Sequence, residues 1–85
     1  MLFYEYVADV LEKRAPYREQ HLALVGEWKE SGKLVIAGAL GDPPHGAAFG
    51  FKVGDPSEVE RFVGADPYVA GGVVTSWRVE PWMVV

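Results

Sequence analysis

The chain has 85 residues, of which 49% are hydrophobic and 24% charged, with 8 basic against 12 acidic side chains and a formal net charge of −4. That size and apolar content predict one folded domain over residues 1–85 and exclude a disordered chain, while the acidic balance speaks against a nucleic-acid partner. Without cysteine there is no disulfide to support so small a core, which makes a partner subunit the expected source of extra burial.

No run of 18 apolar residues predicts a membrane span, and the N-terminus lacks the basic start and small-residue cleavage site of a secretory signal. A cytoplasmic protein is expected. Asn is absent and Gln20 is the one glutamine, as in proteins of thermophiles, although a GC-rich genome explains the bias equally well.

In chain order, Leu2 to Ala8 is aromatic and apolar on both alternating faces, which predicts a strand covered on both sides. From Pro16 to Ser31 the period lengthens: Tyr17, His21, Leu24, Val25 and Trp28 fall in one stripe about 100° wide, an amphipathic helix that Gly32 stops. Leu34 to Leu40 predicts a second strand, the loop Gly41 to Gly46 a turn, and Ala47 to Val53 a third strand that pairs with it. In the third strand Ala47, Phe49, Phe51 and Val53 share a face. Asp55-Pro56-Ser57-Glu58 supplies a capping carboxylate, a first-turn Pro and a Glu able to reach back, opening a helix over Pro56 to Val63 that Gly64 ends. Asp66-Pro67 repeats the start signal for a single turn, Gly71-Gly72 closes it, and Val73 to Val79 forms the last strand before Pro81 bends or frees an edge.

The order βαββαβ predicts an α+β domain of ferredoxin-like topology, a four-stranded antiparallel sheet with both helices on one face. Strand positions pointing away from the helices are still largely Phe, Tyr, Val, Ala and Trp, an apolar face too large for a monomer to leave exposed. A homodimer pairing sheet to sheet would cover it.

Three motifs weaken on inspection. Ala48-Phe49-Gly50-Phe51-Lys52-Val53 superficially matches the aromatic motif of RNA-recognition domains, but the basic residue and Gly expected before the first Phe are Ala47 and Ala48, and Gly54 stands where the last aromatic belongs. Gly26 with Ser31-Gly32-Lys33 is one residue too long for a phosphate loop, and Lys33 follows a helix instead of opening one. The histidines His21 and His45 have no His-x-x-x-His partner, so no metal or other cofactor is expected.

His21 carries the sharpest signal, because it occupies the middle of the apolar helix stripe. A buried imidazole needs partners at both nitrogens, and a carboxylate at one of them fixes the tautomer and frees the other to exchange protons. A satisfied structural histidine is the plain alternative. Asp66 is explained as a helix cap, yet the turn it opens precedes the last strand, which in this topology neighbours the first strand or the hairpin near the first helix, so Asp66 can approach His21.

Together Tyr17-Arg18-Glu19-Gln20-His21-Leu22, Ser31-Gly32-Lys33-Leu34-Val35-Ile36-Ala37-Gly38-Ala39-Leu40 and Ala65-Asp66-Pro67-Tyr68-Val69-Ala70-Gly71 resemble the YciI-like family over nearly the whole chain. The resemblance implies a dimeric α+β barrel of ferredoxin-like subunits and a His–Asp pair in a cleft, mapped here onto His21 and Asp66. It also implies small-molecule chemistry, including elimination of hydrogen halide from chlorinated ring-cleavage products. The short loop with Pro43-Pro44 departs from relatives that carry longer, more polar segments there, which puts transfer of any one substrate in doubt.

Three functions remain open on this reading. In the first, a lyase or isomerase uses His21 as general base or acid and Asp66 as its orienting partner, with Arg18, Tyr17 and His45 toward substrate. In the second, a non-catalytic dimer binds a small metabolite in an aromatic cleft that Tyr17, Trp28, Trp77 and Trp82 line. In the third, the pair is structural only.

Overall fold

The computed structural model describes residues 1–82 and contains four strands: β1 (Leu2–Tyr6), β2 (Leu34–Leu40), β3 (Gly46–Phe51) and β4 (Val74–Val79). Helix α1 (Val10–Lys13) and a 3₁₀ turn (Ala15–Tyr17) lead into α2 (Arg18–Glu30); α3 (Pro56–Ala65) and α4 (Pro67–Ala70) precede β4. The sheet order is β2-β3-β1-β4 with every neighbouring pair antiparallel, the ferredoxin-like arrangement expected from the element order. Among the described residues no helix is long and apolar enough to cross a membrane.

One sheet face carries the core. Leu2 and Tyr4 of β1 stand opposite Phe49 and Ala47 of β3, and all four are buried. Phe62 of α3 has no exposed surface and lies 5.3 to 5.4 Å from the rings of Phe49, Phe51 and Trp28, so both long helices cover the same face. Burial of each such ring contributes about 1.5–3 kcal/mol, and edge-on contacts add to it. The α2 stripe turns inward as its periodicity predicts: His21 is buried, and Tyr17, Leu24, Val25 and Trp28 pack partly against the core. Gly32, at φ +80°, ends that helix where the Gly stop was expected. Gly46 lets β3 approach β1 closely, since a Cβ there would run into the Tyr4 carbonyl.

Several local expectations change. The strand read from Leu2 to Ala8 stops at Tyr6, where the β1–β4 register shifts. The long helix, read from Pro16, begins only at Arg18; Pro16 and Tyr17 belong instead to a 3₁₀ turn closed by the Tyr17 N–H donating to the Arg14 carbonyl at 2.9 Å, and Val10 to Lys13, given no element by the sequence, form a helical turn before it. Gly64 does not end α3. The helix runs through it to Ala65, because the stop comes from the extended backbone of Asp66 ahead of Pro67, whose ring disfavours helical geometry in the preceding residue. Asp55 caps α3 by accepting from the Ser57 N–H at 2.9 Å, whereas Glu58 pairs its carboxylate with Lys33 at 3.0 Å in place of reaching back to the cap. Beyond β4 the ladder continues one step, Met1 and Glu80 exchanging backbone bonds of 2.7 and 2.8 Å, and ends at Pro81, which has no N–H to give.

The outer sheet face is less uniform than the sequence suggests. Cross-strand partners share a face, so Phe3, Glu5, Ala48, Gly50, Ser76 and Arg78 point away from the helices, with Ile36, Gly38 and Leu40 of β2. Its β2–β3 half is apolar, and Ile36 is 60% exposed. Its β4 half is polar: Ser76 bonds Glu5 at 2.9 Å and the Arg78 guanidinium lies over the Phe3 ring. No Tyr or Trp of the strands belongs to it, because Trp77 sits opposite Tyr4 and therefore on the helix-bearing side.

Candidate functional site

The site is assembled around the junction of α3 and α4. Asp66 ends one helix and caps the next, its extended backbone turning the carboxylate back toward the sheet. One oxygen accepts from the Tyr68 N–H at 3.0 Å and from His21 Nδ1 at 2.8 Å; the other accepts from the Tyr4 hydroxyl at 2.7 Å. Donors from β1, α2 and α4 thus meet on one carboxylate that is 1% exposed. A buried carboxylate accepts and does not donate, so the proton of His21 is assigned to Nδ1. Tyr68 stacks flat on the imidazole, with centroids 3.8 Å apart and planes within 3°, and Phe49 meets the ring edge-on at 6.3 Å. Position, tilt and tautomer of His21 are all set, which leaves Nε2 without a protein partner among the described residues.

The imidazole borders a cleft of 240 Å³ between α2 and the β2–β3 half of the sheet. Small residues make the room: Ala37, Gly38, Ala39 and Ala47 form the floor on the strand side. Tyr6 and Tyr68 stand beside His21, and Arg14, Arg18 and Lys29 bring three cations to the rim. None of the described residues lining this cleft is acidic, in a chain whose net charge is −4.

The tyrosines respond to their surroundings. Burial, then the adjacent Asp66 carboxylate, pushes the Tyr4 hydroxyl far above its ordinary range and keeps it a donor. Tyr6 is pushed up to about 12, first by burial and then by Tyr68 and Asp66, with Arg14 and Arg18 pulling the other way.

The structure places the expected residues unequally. His21 and Asp66 are in direct contact, and Arg18 borders the same cleft. Tyr17 lies outside the lining, its ring against Gly71 between α4 and β4. His45 is an exposed residue of the β2–β3 loop, clamped by its backbone to Leu40 and Tyr6 at 2.9 Å and also apart from the cleft. Of the proposed aromatic lining, Trp28 is packed on Phe51 and Phe62, Trp77 on β4 does not reach the cleft, and Trp82 borders a different cavity. That second cavity, 470 Å³ beside Met1, Phe51 and Val59, is larger but holds no histidine, only Asp55 and Glu80 among titratable side chains. Among the described residues no three His, Asp or Glu side chains gather as metal ligands would. The sequence reading missed Tyr4, Tyr6, Tyr68, Arg14 and Lys29. Tyr68, next to Asp66-Pro67, and Lys29, next to Trp28, stood beside flagged residues.

A split βαβ sheet bearing a small cleft, with a helix-borne histidine clasped by a remote carboxylate, defines a ferredoxin-like α+β domain with a buried His–Asp pair at its cleft. The chain belongs to the family of proteins with a YCII-related domain, whose model matches residues 1–83. Among solved structures it is similar to 5-chloro-2-hydroxyhydroquinone dehydrochlorinase (TftG) from Burkholderia phenoliruptrix AC1100, determined in complex with 2,5-dihydroxybenzoquinone. The two are 24% identical, with a TM-score of 0.78 over 98% of this chain and 94% of the other. No curated protein matches the chain.

The two raised tyrosines predict a loss of stability in alkali. Both hold their protons more tightly folded than at the ordinary value of 10.0, so their contribution is complete below pH 10 and lost as pH rises through about 12, where Tyr6 titrates, and beyond for Tyr4. Denaturant midpoints measured across this range fall above pH 10 in the wild type and fall less steeply in Tyr4→Phe. Parallel curves for the two proteins would contradict the assignment.

Proposed function

We propose that the protein is an enzyme of the lyase or isomerase type that moves a proton on a small molecule, with His21 as its general base and acid. What carries the reading is the grip of Asp66 on Nδ1 at 2.8 Å, which leaves Nε2 as the ring nitrogen for chemistry at the cleft. Nε2 takes a proton from a carbon beside a carbonyl or carboxylate, and Asp66 stabilises the imidazolium that results. The electron pair then either returns at another atom with the same proton, an isomerisation, or expels a leaving group from the next carbon, an elimination. The second course would make this chain similar in action to the dehydrochlorinase whose fold it shares. Arg18 lies one helical turn from His21 and meets the substrate's charge.

The outer sheet face supports the further reading that the working form is a homodimer. A second copy laid on Ile36 and Leu40 would remove the apolar half of that face from water. Sedimentation equilibrium then finds a dimer for the wild type and a monomer for Ile36→Glu; a wild type that is monomeric at tens of micromolar would exclude this arrangement.

Catalysis is tested by chloride release from 5-chloro-2-hydroxyhydroquinone and by solvent-deuterium incorporation into a panel of small keto acids and ketones. His21→Gln, with an unchanged circular dichroism spectrum, loses about 10²–10⁴-fold of any activity found. Equal rates in variant and wild type would remove His21 from the chemistry, and binding without turnover in both would favour the metabolite-binding module.

A further inference from the structure

Tyr68 holds a hydroxyl that its surroundings do not explain. The side chain is 1% exposed, its ring is fully used in the stack on His21, and its hydroxyl oxygen is buried without a hydrogen-bond partner among the described residues. Phenylalanine would stack equally well and would avoid the cost of leaving a buried polar atom unpaired. The ring borders the cleft, and the other groups at that cleft are of one electrostatic sign: Arg14 from the turn before α2, and Arg18 and Lys29 from α2 itself, with no carboxylate among the lining residues. Arg14 is placed there by α1 and the 3₁₀ turn, elements that contribute only one buried side chain, Val10, to the core. The floor of Ala37, Gly38, Ala39 and Ala47 is flat because it is strand, and low because its side chains are small.

We propose that this cleft recognises its substrate as a small, flat oxyanion, with Arg14, Arg18 and Lys29 supplying the counter-charge and the Tyr68 hydroxyl donating to one of its oxygens. A carboxylate or enolate on a planar ring or short conjugated chain is the class that fits. At 240 Å³ the space is below the roughly 300–1,000 Å³ of sites for drug-sized ligands, so it suits a metabolite of one ring. Guanidinium groups at the rim and a neutral donor deeper in give the orientation: charge is held near the mouth, and the oxygen nearest the imidazole is held by Tyr68. An enolate formed by proton removal would be stabilised by the same hydroxyl, since a donor fixed in advance favours developing negative charge. The inference rests on the reading of the His21 cleft as the substrate site.

The test uses benzoate, its neutral counterpart benzamide, and nuclear magnetic resonance titration of the full-length protein. Benzoate shifts signals of Tyr68 and His21 and binds at least about 10-fold more tightly than benzamide, with affinity falling as sodium chloride is raised. Arg18→Gln, an exposed helix position whose loss does not threaten the fold, reduces the preference for benzoate. Tyr68→Phe weakens benzoate about 10-fold and leaves the free protein as stable as the wild type or more so, whereas a hydroxyl with a structural role would cost stability. Equal affinity for the two probes, no binding at millimolar concentrations, or shifts confined to the surface around Trp82 would each overturn the proposal. His21→Gln separates this from the catalytic reading: the preference for benzoate persists in a folded variant whether or not turnover is lost, and its disappearance there would overturn the assignment of anion recognition to the three cations and Tyr68.

Discussion

A single carboxylate organises this molecule. Asp66 is buried where an ionised group is tolerated only if donors replace the water it has lost, and removing one such donor costs a small protein a large share of its stability. The donors come from three places in the sequence: Tyr4, 62 residues away, His21, 45 residues away, and the backbone of Tyr68 just beyond. The first strand, the long helix and the short helical turn therefore converge on one point, and their convergence is also what builds the cleft.

The same interaction converts a structural need into a chemical opportunity. An imidazole hydrogen-bonded through Nδ1 has its tautomer chosen, and a flat tyrosine stack fixes its plane. What lies before its other nitrogen then depends on the neighbouring elements: a strand of small residues that leaves space, and a helical entry that lines the space with cations. The protein as a whole is acidic, so the positive rim is a local field of its own, unlike the rest of the surface.

Much of this was legible in the sequence, for identifiable reasons. β2 was read at its observed limits because Gly32 and the Gly41 to Gly46 loop punctuate it, and the existence of α2, though not its first residues, because inward positions repeat at helical spacing around His21. That Asp66 can approach His21 was legible from topology, and the family resemblance pointed to the pair, but the contact itself is seen only in the structure. Illegible were features that depend on three-dimensional neighbours. Tyr4 reads as one more apolar strand residue, and nothing in the pattern says that its hydroxyl meets Asp66. Arg14 sits in a stretch too short and mixed to show a period, while His45, chemically suggestive, was carried away from the cleft by a loop pinned through its backbone. Gly64 was misread because a glycine in a helix and a glycine ending one look alike without the backbone of the residues that follow.

The most direct test is the protonation pattern of the His21 ring, observed by long-range nitrogen–proton correlation in the folded protein. A clasp by Asp66 predicts a proton held on Nδ1, hydrogen-bonded and shifted downfield, and, in the neutral ring, a bare Nε2. A ring with its proton on Nε2, or one exchanging freely between both forms as imidazole does in water, would contradict the account at its root.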